Sequence, residues 1–195
     1  LSWGGDLESK GSMKGIVFTE FMEHVENELG LGVVDELIEK TCPASKAHYT
    51  AVGTYSHCEL VAYVQYLSQK LNVNEELLLK AFGEYLSTTF KTKYPVFFER
   101  CDGFFEFLTM VDDHIHVEVK KLYPDARLPE FKHENISDER FKLFYKSKRN
   151  FSELAHGLIL GCARFFNESI EIQKKDFEPQ EGYYLSEFDI VCVGK

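Results

Sequence analysis

A chain of 195 residues, 44% hydrophobic and 14% aromatic with 17 Phe, carries enough apolar material for one packed domain or two subdomains sharing a core. Its formal net charge of −10 repels phosphate backbones and anionic bilayers, so nucleic acid and membrane surfaces are excluded as expected partners. No run of about 18 apolar residues occurs, which excludes a helical membrane span. Cys42, Cys58, Cys101, Cys162 and Cys192 are odd in number and widely spaced, with no CxxC or CxxCH. They argue against a disulfide scaffold, a covalent cofactor attachment and a zinc site of sequence-adjacent ligands. Reduced, mostly buried thiols in a cytoplasmic protein are the expectation.

The opening twelve residues are Gly/Ser-rich and lack an apolar leader core, so residues 1–12, with Trp3, read as an expression remnant ahead of a natural start at Met13. Phe18, Phe21, Met22, Val25 and Leu29 recur at helical spacing over 16–29, with Gly30 as a stop. His24, between Glu23 and Glu26, reads as a solvated histidine. Val33, Val34, Leu37 and Ile38 predict a short second helix ending near Cys42-Pro43. Ser56-His57-Cys58-Glu59 has the form of a capping box, ahead of a helix with Leu60, Val61, Val64, Leu67 and Leu71 inward. Asn74 caps the next helix, whose inward set is Leu77, Leu78, Ala81, Phe82, Tyr85, Leu86 and Phe90, and Pro95 interrupts it.

A further helix is predicted from about Gly103 to Leu122, with Phe104, Leu108, Val111, Ile115, Val119 and Leu122 as its stripe. His116 sits on the shoulder of that stripe and His114 nearer Met110 and Glu118. Periodicity does not choose between them. After Pro129 the period changes: Phe141 to Ser147 alternates as a strand does. Residues 152–167 return to helix, with Gly157 and Gly161 permitting close approach. Two strands, Ser169–Lys175 and Leu185–Val193, close the chain around a polar turn at Pro179–Gly182. The fold class is therefore α+β: an N-terminal helical subdomain packed on a C-terminal one with a small antiparallel sheet and helices.

Tyr145, Ser147 and Arg149 are spaced to share one face of an extended chain. A phenol, a hydroxyl and a guanidinium fork together suit two carboxylates in a half-buried cleft. An ordinary strand with a polar wet side has the same spacing. Met13-Lys14-Gly15-Ile16-Val17-Phe18, then Ile115-His116 with Lys121-Leu122-Tyr123-Pro124-Asp125-Ala126 and Leu128-Pro129, then Tyr145-x-Ser147-x-Arg149, then Gly157-Leu158-Ile159-x-Gly161, resemble in this order the H-NOX family, the haem nitric oxide/oxygen binding domains. The resemblance spans residues 13 to about 193.

The resemblance implies a single haem-binding domain over 13–195, with a helical part at about 13–75 and a haem-clamping α/β part at about 76–195. The haem b would lie buried between them. It implies His116 as the iron ligand and Tyr145, Ser147 and Arg149 as the propionate clamp. Pro129 would press on the porphyrin. Val17, Phe21, Leu86, Phe90, Leu154 and Leu158 would line the pocket. Oxygen-holding members carry a distal Tyr where this chain has Leu154, and polar support where it has Phe21 and Leu86. Oxygen needs a donor to be held; NO and CO need one far less. An NO sensor is therefore expected, signalling by weakening of the Fe–His116 bond. The expected partner is a separate effector, a histidine kinase or a cyclic-di-GMP enzyme (diguanylate cyclase or phosphodiesterase). The Cys/His zinc cluster of some members has no counterpart in Cys162, Cys192 and His156, and no zinc is expected. Two rivals are a cofactor-free interaction module and an acid/base enzyme built on Asp112, Asp113, His114 and Glu118. The latter lacks any nucleophile, phosphate-loop or metal motif.

Overall fold

The computed structural model describes residues 11–193; Trp3 and residues 1–10 of the Gly/Ser-rich leader lie outside the described residues. Strand β1 (Ser12–Lys14) pairs antiparallel with β2 (Thr54–Ser56), so Ser12 already takes part in the fold. Between them run α1 (Gly15–Leu29) and α2 (Leu31–Thr41), followed after β2 by α3 (His57–Leu71) and α4 (Glu75–Lys93). Their apolar stripes meet in a first core that includes Phe18, Phe21, Leu37, Leu60, Tyr63, Phe82 and Leu86. The completely buried Phe18 and the nearly buried Phe82 each add about 1.5–3 kcal/mol of burial. Asn74 caps α4 as expected, its side chain accepting from the Glu76 amide at 2.8 Å. Ser56 also caps, but from the Cys58 amide at 3.3 Å. Glu59 does not close the box. Its carboxylate accepts from Ser45 Oγ at 2.6 Å and Tyr49 Oη at 2.5 Å, tying the α2–β2 loop to α3.

Short α5 (Pro95–Glu99) begins at the proline that stops α4, and α6 (Phe104–Met110) follows. The long helix expected to Leu122 is broken in register. A π-turn at Val111–Ile115 intervenes before α7 (His116–Leu122), and the His116 amide donates to the Val111 carbonyl. One extra residue rotates everything beyond it by about 100°. The stripe therefore fails past Val111: no residue of the π-turn or α7 is fully buried, and Leu122 is 73% exposed.

The C-terminal half is an antiparallel sheet of β3 (Glu130–Ser137), β4 (Arg140–Ser147), β5 (Ile170–Gln180) and β6 (Tyr183–Cys192) in the order β3-β4-β6-β5, with α8 (Ser152–Phe165) inserted after β4. Phe141, Leu143, Tyr145 and Ser147 point inward from β4, and Ser186, Phe188 and Ile190 from β6. The apolar members join Phe98, Phe104, Phe107 and Leu108 in a second core. Helix α8 serves both cores, with Leu154 and Leu158 in the first and Ala155, Ile159 and Cys162 in the second. It packs most extensively on α4, where Gly83 meets Gly157.

Several local expectations differ. Leu77, Leu71 and Ala81 face solvent instead of the core. Cys101 and Cys162 are buried, but Cys42 and Cys58 are exposed. His24 is half-buried instead of fully solvated: its ring stacks on Tyr85 at 4.4 Å, and its Nδ1 is buried without a hydrogen-bond partner among the described residues.

This packing is testable at two positions. A Cβ at Gly157 would clash with the Lys80 carbonyl and lie 2.9 Å from Gly83 Cα, both backbone. Gly157→Ala should therefore cost about 1–3 kcal/mol, read as a lower urea midpoint. Burial lowers the His24 pKa, against the pull of Glu28. The unfolded state then takes up more protons on acidification, so this contribution is full above the unfolded pKa and fades as pH falls below about 6.5. His24→Phe, which keeps the stack, should flatten the pH dependence of the urea midpoint across that window.

Candidate functional site

Strand β4 places Tyr145 and Ser147 on its buried face, and Arg149 follows two residues past the strand end. The triplet closes through its own backbone. Tyr145 Oη donates to the Arg149 carbonyl at 3.1 Å, and the Arg149 amide donates to Ser147 Oγ at 3.2 Å. Arg149 is 7% exposed. Its Nη1 donates to the Ser12 carbonyl at 2.8 Å, and its Nη2 donates to the Arg127 carbonyl. Among the described residues no carboxylate pairs with it. Burial pulls its pKa below the ordinary guanidinium range, yet a guanidinium stays protonated in water near neutrality. A buried cation met only by carbonyl dipoles is under-compensated, and a carboxylate is the partner that suits its fork. The Tyr145 hydrogen goes to the Arg149 carbonyl, so the part of the triplet that fits a propionate as it stands is the Arg149 fork with Ser147 beside it.

His116 opens α7. Its Nδ1 lies 3.2 Å from Asp112 Oδ1. Burial lowers its pKa, against the pull of Asp112 and of the Pro129 carbonyl. The ring is therefore neutral at pH 7 and keeps a lone pair for a metal. It tilts onto Phe131 at 5.7 Å, and Phe131 meets the Tyr145 ring edge-on at 5.7 Å. A short aromatic chain thus connects the histidine to the clamp. His114 and Asp113 are exposed and lie outside this grouping.

The apolar candidates gather elsewhere. Phe21, Leu86 and Leu154 are buried in the first core, and Val17, Phe90 and Leu158 pack against it. Tyr145 belongs to the second core, against which Ile115 and Phe131 pack. Phe90 packs against both. Six of the eleven predicted positions thus gather in or against the first core, Tyr145 lies in the second, and Ser147, Arg149, His116 and Pro129 lie near it. A cavity of 610 Å³ opens beside the clamp, lined by Ser12, Thr54, Lys120, Asp125 and Arg127 among others. A larger hollow of 850 Å³ around Gln65, Asn74, Glu153 and Lys174 touches none of the predicted positions and is not part of this site.

Three features escaped the sequence reading. Asp112 pairs with His116, for which the i, i+4 spacing was an available signal. Phe131 lies on an edge strand whose polar sequence hid it. Thr54 donates to Asp125 at 2.6 Å and Lys14 donates to Thr54 at 2.8 Å, joining the β1–β2 pair to the loop after α7. No short-range pattern announces contacts so distant in sequence.

A profile of the haem-NO-binding family matches residues 14–174. Among solved structures, the unliganded Fe(II) H-NOX protein from K. algicida is 34% identical with a TM-score of 0.87, the match covering 94% of this chain and 98% of that one. The H-NOX protein from S. oneidensis in its Fe(II)NO state is 29% identical with a TM-score of 0.85, covering 93% and 100%. A mutant of T. tengcongensis H-NOX, at 22% identity, TM-score 0.84 and coverage of 93% and 98%, shares the fold. No curated protein matches the chain.

The clamp can be tested directly. Arg149→Ala should release haem to a scavenging globin roughly ten- to a hundredfold faster, the scale of a lost charge-assisted hydrogen bond. Arg149→Lys, which keeps the charge and loses the fork, should fall between. An unchanged transfer rate in Arg149→Ala would remove Arg149 from the clamp.

Proposed function

The chain belongs to the haem-NO-binding (H-NOX) family, a family of haem-based gas sensors, and we propose that it senses nitric oxide at a b-type haem and reports it to a separate effector. When bound, haem supplies a ferrous iron at which a diatomic gas coordinates. On this reading His116 would ligate the iron, and Tyr145, Ser147 and Arg149 would hold the propionates. Pro129, whose carbonyl interacts with the His116 ring, would pack against the haem. Val17, Phe21, Leu86, Phe90, Leu154 and Leu158 form the apolar wall.

The observation that carries NO over oxygen is that this wall offers no hydrogen. Phe21, Leu86 and Leu154 are apolar and buried. Tyr63 stacks on Phe21 at 6.0 Å, but its hydroxyl is 2.6 Å from that of Tyr49. Tyr49 gives its own hydrogen to Glu59 at 2.5 Å, so Tyr63 must donate to Tyr49. Burial pushes the Tyr63 pKa up to about 12, so it remains a committed neutral donor. A wall without a free donor favours NO and CO, which need none, over oxygen, which does.

Output on this reading passes through the His116 segment. Asp125, Thr54 and Lys14 join the loop beyond α7 to the β1–β2 pair, so motion of α7 reaches the helical half. The effector expected is a histidine kinase or a cyclic-di-GMP enzyme in the cytoplasm, and the chain itself is assigned no catalytic residue. Among the described residues no helix is long and apolar enough to cross a membrane.

The ferrous protein should bind NO and CO and form no stable oxygen complex in air, checked by absorption spectra under each gas. Leu154→Tyr should slow oxygen loss by placing a phenol in the wall. A stable oxygen complex in the unsubstituted protein would sink the NO assignment. Affinity capture with and without NO, using a candidate kinase or cyclic-di-GMP enzyme, tests the output.

A further inference from the structure

The partner of the histidine is a carboxylate, and its placement is specific. Asp112 lies in the first turn of the π-segment and His116 directly follows that segment. The His116 backbone N–H is already committed to the Val111 carbonyl. The side chain adds the second tie, Nδ1 to Asp112 Oδ1 at 3.2 Å. The ring faces a second acceptor, the Pro129 carbonyl. A neutral imidazole has one hydrogen, so only one acceptor is served at a time. A carboxylate is a stronger acceptor than a peptide carbonyl and is the one at hydrogen-bonding distance from Nδ1. The ring is thereby held as the Nδ1–H tautomer, with Nε2 left bare.

We propose that Asp112 is a positioning residue for His116: its carboxylate fixes the tautomer and orientation of the ring and, by drawing on the Nδ1 hydrogen, makes Nε2 a stronger donor toward iron. The inference rests on His116 being the axial ligand. It goes further in making the strength of that ligand adjustable from a neighbouring side chain. Carboxylate–histidine–metal arrangements act in this way generally, raising ligand basicity. Here the arrangement bears on the bond whose release carries the signal. A stronger ligand would resist release, so Asp112 would raise the threshold for any signal carried by loss of the His116 bond.

Neighbouring acids are poor substitutes. Asp113, one residue on, is exposed, and Glu118 is engaged by Lys121 at 2.6 Å. Asp113→Asn therefore removes the same charge without removing the contact.

The test is resonance Raman spectroscopy of the ferrous haem-loaded protein, following the Fe–His stretching band, with haem transfer to a scavenging globin measured alongside. Asp112→Asn keeps an oxygen acceptor but loses the charge, and should move the band to lower frequency. Asp112→Ala should move it further and speed haem transfer by roughly ten- to a hundredfold. Asp112→Glu should restore part of the wild-type frequency, and Asp113→Asn should leave it unmoved. An unmoved band in both Asp112→Asn and Asp112→Ala overturns the proposal, as does an equal shift in Asp113→Asn. His116→Gly, with and without added imidazole, separates the two levels. If the Fe–His band persists in His116→Gly without imidazole, the ligand assignment itself has failed. If it vanishes and returns with imidazole while the Asp112 variants are silent, only the role of Asp112 has failed.

Discussion

One buried cation joins three parts of this protein that are remote in sequence. Arg149 stands just beyond β4, and its guanidinium reaches the carbonyls of Ser12 in β1 and Arg127 in the loop after α7. Each contact lends a carbonyl dipole to a charge that would otherwise be costly to bury. The N-terminal strand, the segment carrying the histidine and the sheet are thus held to one point. The Lys14–Thr54–Asp125 contacts repeat the connection along the same two backbone segments, on the exposed side. Surface ion pairs of that kind contribute little alone. The weight of the joint therefore rests on Arg149, and a carboxylate ligand at the clamp would complete its charge balance without displacing the fold that brings it there.

The π-turn is the second constraint. In an uninterrupted α-helix His116 would sit on the shoulder of the apolar stripe and Leu122 within it. The additional residue at Val111–Ile115 turns the helix beyond, leaving Leu122 in solvent and His116 against Phe131. The local cost is visible as an apolar residue lost to the core. The gain is a histidine aimed inward with a carboxylate one turn behind it. A helix segment without fully buried residues has little packing to hold it in place. Its attachment falls on His116 at one end and on the Tyr123–Arg127 loop at the other.

How much of this was legible from residues alone follows from the range of each interaction. Helices α1 to α4 and strand β4 announce themselves by local periodicity, and the Asn74 cap by residue type, because both signals lie within a few positions. The three-residue strands β1 and β2 are too short for a period, and β3 is a polar edge strand, so all three were silent. The π-turn was invisible because Val111 and Ile115 continue an apolar spacing that a regular helix would also satisfy. At the site, the order of Tyr145, Ser147 and Arg149 after His116 carried the resemblance. The Ser12 and Arg127 carbonyls that hold Arg149 could not be read, since any residue supplies a carbonyl. Glu59 shows the opposite error: a local capping motif was present, but two hydroxyls across a loop proved the stronger partners.

The apolar wall is maintained by energetics as much as by composition. Tyr63 is completely buried and stacks on Phe21, so a phenol lies one ring behind the wall. If its hydroxyl turned away, Tyr49 would lose the hydrogen bond it accepts from Tyr63 in a site shielded from water. Leaving a buried group unpaired costs about 1–3 kcal/mol, more where a charge is involved. Glu59 anchors the arrangement, because its carboxylate also takes hydrogens from Ser45 Oγ and the Ser45 amide, at 2.6 and 3.0 Å. Tyr49 is therefore bound to remain a donor to Glu59, and Tyr63 a donor to Tyr49. The Tyr63 and Tyr49 hydrogens are thus consumed in series by one buried acid. Gas selectivity on this view depends on the placement of Glu59 as well as on Leu154, even though Glu59 belongs to neither the wall nor the clamp.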